Sequence, residues 1–307
     1  MEKRTEKYRK NIDVESFLKG LNSDLAGQEL KLMQKFSGEP LPIIFIVGCP
    51  RSGTSLLNQL LINKFGLAYP SNLMARFWEV PLCGAMMFKN LYPGQIELSL
   101  NSDLGYTQGA EGPHEFGYFW KSWLSDQSHN NKDQLKEVLD KLSLFYNNTI
   151  VFKNLHFVNS HISFLSELLP NSFFIHIKRD VLANACSLYK ARLKFSGDAS
   201  NWFGPKVKMP VDITLDSEHQ IIHQIKSIED SIAIQLDLLA DSRKLELKFE
   251  SLKNNPEESL SEIANKFDFL NPTSYNIPKD MFVKTNNYIQ DNELVEKFNS
   301  IMNKYSL

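Results

Sequence analysis

The sequence predicts an α/β fold, a single domain on a central parallel sheet with helices on both faces. Three observations predict it. Short, largely apolar runs, Ile43 to Val47 and Ser172 to Ile177, have the length and the lack of alternation of strands buried on both sides. Segments of helical periodicity separate such runs, the pattern of strands joined by crossover helices. A glycine-bounded turn, Gly48 to Gly53, leads straight from the first run into a helical pattern. Ligands in such sheets sit at the carboxyl ends of the strands, where Gly48, Lys153, Arg179 and Glu250 all fall.

In chain order, residues 12–36 carry a helical period in Val14, Phe17, Leu18, Leu21 and Leu25. The strand 43–47 and a helix to residue 65 follow. Residues 69–130 are rich in aromatics and Gly/Pro punctuation and lack clear alternation. A helix is expected over 132–146, a short strand from Thr149 to Phe152 ending at Lys153, and an amphipathic helix over 158–169 stopped by Pro170. After the strand at 172 a helix runs from near Leu182 to Lys194, and 195–215 reads as polar loop. A long helix covers 217–240, Leu245 to Phe249 is a strand, and Pro256 opens a helix at a favourable first-turn position. The Asn- and Lys-rich tail, 284–307, ends in a helix.

The 307 residues suffice for one large α/β domain, and no internal repeat divides them, so 1–307 reads as one unit. A net charge of −2 gives no strong field for nucleic acid or an anionic membrane, so any basic patch is local. Cys49, Cys83 and Cys186 show no metal-ligand or C-x-x-C spacing and read as reduced thiols; Cys49, in the loop, is also a possible nucleophile. Residues 1–10 lack an apolar signal core, and no apolar run reaches the ~20 residues that span a bilayer. The expectation is a cytoplasmic protein without membrane or nucleic-acid partners. Its oligomeric state is not legible.

The loop Gly48-Cys49-Pro50-Arg51-Ser52-Gly53-Thr54-Ser55 has the spacing of a nucleotide-binding loop. Its N–H groups and the following helix N-terminus suit a phosphate. Thr54 stands where a Walker A loop requires Lys, and the cation has moved upstream to Arg51. That exchange argues against an ATPase or kinase. The loop resembles, residue for residue, the first cofactor loop of the sulfotransferases that use 3′-phosphoadenosine 5′-phosphosulfate (PAPS). The resemblance implies a P-loop-like domain and places Gly48, Arg51, Ser52, Gly53, Thr54 and Ser55 on the cofactor. Arg179 at a strand end and Ser187 on the next helix can converge on one phosphate. They are similar to the family's second motif, which holds the 3′-phosphate, with Val181 in place of the usual Pro. The stretch Phe249-Glu250-Ser251-Leu252 with Asn255-Pro256 resembles a third motif, whose aromatic lies near the adenine. Phe249 is either that stacking ring or core. Lys284 to Asn287 is a weaker match to a closing loop over the 3′-phosphate.

Sulfuryl transfer needs alignment, cations and a base, and no metal. Arg51 and Lys153 are the natural cations, and the family carries a sulfate-contacting Lys where Lys153 stands. For the base, Glu111-Gly112-Pro113-His114-Glu115 beside the aromatic run 116–120 offers His114 first, because an imidazole titrates near neutral pH, then Glu115 and Glu111. His156 and Glu79 are rivals by analogy with other family branches. The aromatics are expected to wall the pocket of a flat or amphipathic acceptor, such as a bacterial secondary metabolite. Glu79, Glu111 and Glu115 leave a cationic acceptor open. The function implied is PAPS-dependent sulfation of a small-molecule hydroxyl or amine. A kinase with an atypical phosphate loop and a non-catalytic nucleotide-binding protein are the alternatives.

Overall fold

Four parallel strands form the centre of the protein in a computed structural model that describes residues 4–125, 131–208, 216–278 and 292–305. They are β1 (Ile43–Val47), β2 (Ile150–Lys153), β3 (Ser172–Lys178) and β4 (Lys244–Lys248), in the order β2-β1-β3-β4. The register pairs Ile46 with Lys153, Val47 with His176 and Lys178 with Lys248, so the strands end along one edge. Every residue of β1 is buried, as a run of Ile, Phe and Val flanked on both sides requires.

The period of two divides β1 between two cores. Ile43, Phe45 and Val47 face one and Ile44 and Ile46 the other. On the first face Phe45 stacks between its register neighbours Phe152 and Phe174, at 5.8 and 5.3 Å. Cross-strand pairs of this kind hold register because a one-residue slip would turn the rings to the other face. That core is covered by α4 (Gly117–Leu124), α5 (Lys132–Tyr146), α6 (Ile162–Leu168), α7 (Val181–Ser196) and α8 (Ser217–Asp237). The second face is covered by α2 (Thr54–Phe65), α9 (Phe249–Asn254) and α10 (Pro256–Lys266). α1 (Ile12–Met33) lies beside α3 (Pro81–Leu91). α11 (Asn292–Tyr305) docks on α7 and α8, with Phe298 fully buried.

The structure departs from expectation in three places and refines a fourth, the start of α7 near Leu182. Residues 69–130 contain α3 and α4. The helix expected over 158–169 is broken into a 3₁₀ turn, Val158–Ser160, whose Asn159 side chain bonds the glycine loop, and α6. α7 starts at Val181, capped by the Asp180 carboxylate on the Ala183 N–H at 2.8 Å. Phe249 opens α9 rather than closing β4. Residues 284–287 and the segment 209–215 lie outside the described residues. Among the described residues, no helix is long and apolar enough to cross a membrane.

Candidate active site

The loop after β1 is held from below. Asn159 clamps Gly48 twice, accepting from its N–H at 3.2 Å and donating to its carbonyl at 2.8 Å. The Ser52 hydroxyl, fully buried, donates to the Cys49 carbonyl at 2.8 Å. A Cβ on Gly48 would lie 2.6 Å from the Ile177 carbonyl oxygen, and one on Gly53 would strike the Phe249 ring. Gly53 has a φ of +103° and precedes Thr54 and Ser55, the first residues of α2. The first N–H groups of a helix have no intrahelical acceptor, so this tight cradle fits a phosphate. Arg51 is itself left-handed, with a φ of +70°, a conformation that costs a non-glycine residue about 1–3 kcal/mol and clusters at functional sites.

Arg51 joins the two predicted anion sites. Its Nε donates to the Ser187 hydroxyl at 3.3 Å, and its carbonyl accepts from Arg179 at 2.9 Å. Sequence reasoning sent Arg51 to the transferring group beside Lys153; its side chain instead turns toward α7. Phe249 is buried, with one side on Gly53 and the Arg179 guanidinium 4.8 Å from its ring centroid. It supports Arg179, whichever of the two sequence readings is taken. Glu250 accepts from the Asp180 N–H at 3.1 Å and so ties the start of α9 to the turn after β3.

A crevice opens on the other side of α2, lined by Ser55, Asn58, Gly105, Thr107, Pro113, His114, Glu115 and Lys153. Lys153, 4 % exposed, donates to the Ser55 hydroxyl at 2.9 Å and pairs with the Glu115 carboxylate at 2.5 Å. Glu115 arrives because its segment docks on residues 70–72: His114 N–H bonds the Pro70 carbonyl at 2.8 Å and Asn72 N–H the Gly112 carbonyl at 2.7 Å. Asn154 then holds the Glu115 carbonyl at 2.9 Å. The turn at 103–106 roofs the cluster. A Cβ on Gly105 would sit 3.5 Å from Lys153 Nζ and 3.6 Å from Glu115 Oε1.

Burial alone would raise the Glu115 carboxyl, but the Lys153 ammonium and the nearby His156 hold it below its usual range. Burial pushes His114 down to about 4, against the opposing charge of Glu115 and with help from Arg76 and Lys153. The ring is further committed: His114 Nδ1 accepts from the Phe116 N–H at 2.8 Å. The neutral ring therefore carries its proton on Nε2 and is a donor.

Other candidates lie elsewhere. The Glu111 carboxylate turns to the Tyr92 hydroxyl, at 3.4 Å, and its carbonyl accepts from Tyr69 at 2.8 Å. Glu79 is exposed and accepts from Trp78 Nε1 at 3.3 Å, and His156 is exposed. The three glutamate carboxylates each have a different partner: Trp78 for Glu79, Tyr92 for Glu111 and Lys153 for Glu115. The aromatic run is core rather than pocket wall: Phe116, Phe119 and Trp120 are fully buried, and Trp120 packs on Phe45 and Phe152. Burial, with the Glu229 carboxylate beside it, raises the Cys49 thiol well above its ordinary value, so it is no nucleophile. Sequence reasoning missed Asn159, Asn58 and the 103–107 roof. An isolated Asn or Gly carries no local signal of what distant backbone it will meet.

The site thus combines a parallel sheet, a glycine-bounded loop without a Walker lysine and a buried lysine–carboxylate pair beside it. The chain belongs to the sulfotransferase family, whose sequence profile matches residues 42–269. It is similar to the omega-hydroxy-beta-dihydromenaquinone-9 sulfotransferases Stf3 of Mycobacterium bovis and Mycobacterium tuberculosis, each 24% identical over 258 residues. The match covers 71% of this chain and 61% of each relative's length. Among solved structures, the sulfotransferase STF9 from Mycobacterium avium superposes with a TM-score of 0.52 at 13% identity, over 94% of this chain and 80% of that one. This likeness supports the fold.

Proposed function

We propose that the protein transfers the sulfuryl group of PAPS to a hydroxyl or amine of a small-molecule acceptor, leaving 3′-phosphoadenosine 5′-phosphate (PAP). The observation that carries this reading is the buried Lys153, held between Ser55 of the phosphate-loop helix and the Glu115 carboxylate. Gly48 to Ser55 would hold the 5′ end of the nucleotide. Arg179 and Ser187, joined through Arg51, would hold the 3′-phosphate, with Phe249 beneath Arg179. PAPS supplies an activated sulfuryl group on a phosphate leaving group.

Lys153 neutralises charge growing on the transferring group and the leaving oxygen. Glu115 takes the acceptor proton as the new S–O bond forms and the old one breaks. His114 serves as an Nε2–H donor that orients the acceptor, a reading supported by its occupied Nδ1. This moves the base from the residue that sequence reasoning ranked first to the one it ranked second. A hydroxyl acceptor agrees with the hydroxylated substrate in the Stf3 relatives' names.

Calorimetric titration with PAP, PAPS and ATP tests the nucleotide assignment. PAP should bind and ATP, lacking a 3′-phosphate, should bind far more weakly. Arg179→Ala should cost PAP on the order of 2–4 kcal/mol while barely affecting an analogue without the 3′-phosphate. Equal loss for both ligands would remove Arg179 from that role.

A further inference from the structure

Helix α2 buries three polar side chains below the phosphate loop, and two of them have structural work. Gln59 donates to the carbonyls of Ser99 and Asn101 at 2.7 and 3.2 Å. Asn63 brackets Leu98, donating to its carbonyl at 2.9 Å and accepting from its N–H at 2.8 Å. Asn58 differs. It is 5 % exposed; its Oδ1, like Gln59 Oε1, is buried without a hydrogen-bond partner, but unlike Gln59 its side chain ties down no segment among the described residues. A buried carboxamide oxygen left unpaired is destabilising, and at Asn58, unlike Gln59, no bond donated to a neighbouring segment offsets that cost.

Its position says what it serves. Asn58 lines the crevice together with Ser55, His114, Glu115 and Lys153. Residues three apart share a helix face, so Ser55 and Asn58 look the same way. Asn58 is also one turn, about 6 Å, beyond Thr54 along the axis. That distance takes it away from the helix N-terminus that suits the phosphate and toward the acceptor-side residues Thr107 and Pro113. It is neutral, so it offers an anionic sulfuryl group little that Lys153 does not.

We propose that Asn58 is a specificity residue for the acceptor. Its carboxamide hydrogen-bonds a second oxygen adjacent to the reacting hydroxyl, which makes the preferred acceptor a 1,2-oxygenated alcohol such as a vicinal diol or a hydroxy ether. The inference rests on the sulfotransferase reading above and adds the acceptor's chemical class. The other residues of the crevice support it. Glu115 and His114 are committed to the reacting hydroxyl, and Asn58 is left to read its neighbour.

The test uses the full chain, PAPS as donor, and the matched probes 1-hexanol and 1,2-hexanediol. Wild type should favour the diol in kcat/KM by tenfold or more, and Asn58→Leu should bring the ratio close to one. Two readouts do not depend on turnover. Ligand-free Asn58→Leu should melt at a higher temperature than wild type, because an apolar group of similar size replaces an unpaired carboxamide. Its PAP affinity, by calorimetry, should change less than threefold. A lower melting temperature, a PAP loss above tenfold, or a diol preference that survives the substitution overturns the proposal. Wild type that binds PAP yet turns over neither alcohol overturns the acceptor class. Wild type that fails to bind PAP overturns the sulfotransferase reading instead.

Discussion

The side of the site proposed to take the nucleotide and the side proposed to take the acceptor, called here the nucleotide side and the acceptor side, are built differently. On the nucleotide side, contiguous backbone does the work: Gly48 to Ser55 turns tightly, and two glycines allow close approach to Ile177 and Phe249. On the acceptor side, single residues from four remote segments meet: Asn58 from α2, the Gly105 backbone from the roof, Glu115 from its docked loop and Lys153 from β2. The first arrangement repeats wherever the same short sequence follows a strand. The second exists only in the folded chain. Substitutions on the two sides should therefore separate, the nucleotide side moving affinity and the acceptor side moving rate.

The largest effect should come from Glu115→Gln. It keeps shape and removes the proton acceptor, and should lower the single-turnover rate by about 10²–10⁴. PAP affinity should change little. His114→Gln should cost less than tenfold, since a donor is retained; if it costs as much as Glu115→Gln, the assignment of base and donor is reversed. Lys153→Met should slow the chemical step by about 10²–10³. It should also raise the Glu115 pKa, because the opposing charge is lost. A PAP affinity loss as large as the rate loss would erase the contrast between the two sides.

Gly53→Ala comes next, with the opposite signature. The added methyl meets the Phe249 ring at a positive φ, so PAP binding should weaken by about tenfold to a hundredfold. Any protein still loaded at saturating PAPS should retain a larger share of its rate than Lys153→Met does.

A pH profile sharpens the same comparison. Glu115 is held below the usual carboxylate range and His114 stays neutral down to about 4. The chemical rate should therefore be level from pH 8 to about 5 and fall only in more acid solution. A half-maximal point near the ordinary imidazole value of 6.5 would return the base to a histidine. For stability the sign follows from proton uptake. The unfolded His114 gains a proton near 6.5 and the folded one not until about 4, so the unfolded state binds more protons between them. The folded state then loses stability as pH falls through that window.

The smallest effect should be Phe249→Leu. It removes the ring beneath Arg179 and should weaken PAP by about 0.5–2 kcal/mol, with the rate at saturation unchanged. Weakening as severe as that of Arg179→Ala would make Phe249 a direct contact rather than a support.

Much of the nucleotide side was legible before folding. The strand 43–47, the loop and Arg179 just after β3 lie where the sequence put them, as does Lys153 of the acceptor side, at the end of β2. The ranking of His114 over Glu115 was not secure, because a free imidazole and one whose Nδ1 is spent on the Phe116 N–H look alike in sequence. The aromatic run misled for a related reason. Rings that will fill a core and rings that will wall a pocket have the same composition, and only packing against Phe45 and Phe152 distinguishes them.

By itself the sequence determined the parallel α/β sheet, the phosphate loop and the exclusion of a Walker lysine, because these depend on residues close in the chain and on a hydrophobic period of two or 3.6. The tertiary structure decided that Arg51 bridges to Ser187, that Glu115 and not Glu111 meets Lys153, and that Asn58 stands unpartnered in the crevice. Those outcomes depend on contacts between residues far apart in sequence. Charge, burial and hydrogen-bond partners exist there only after the chain has closed around them.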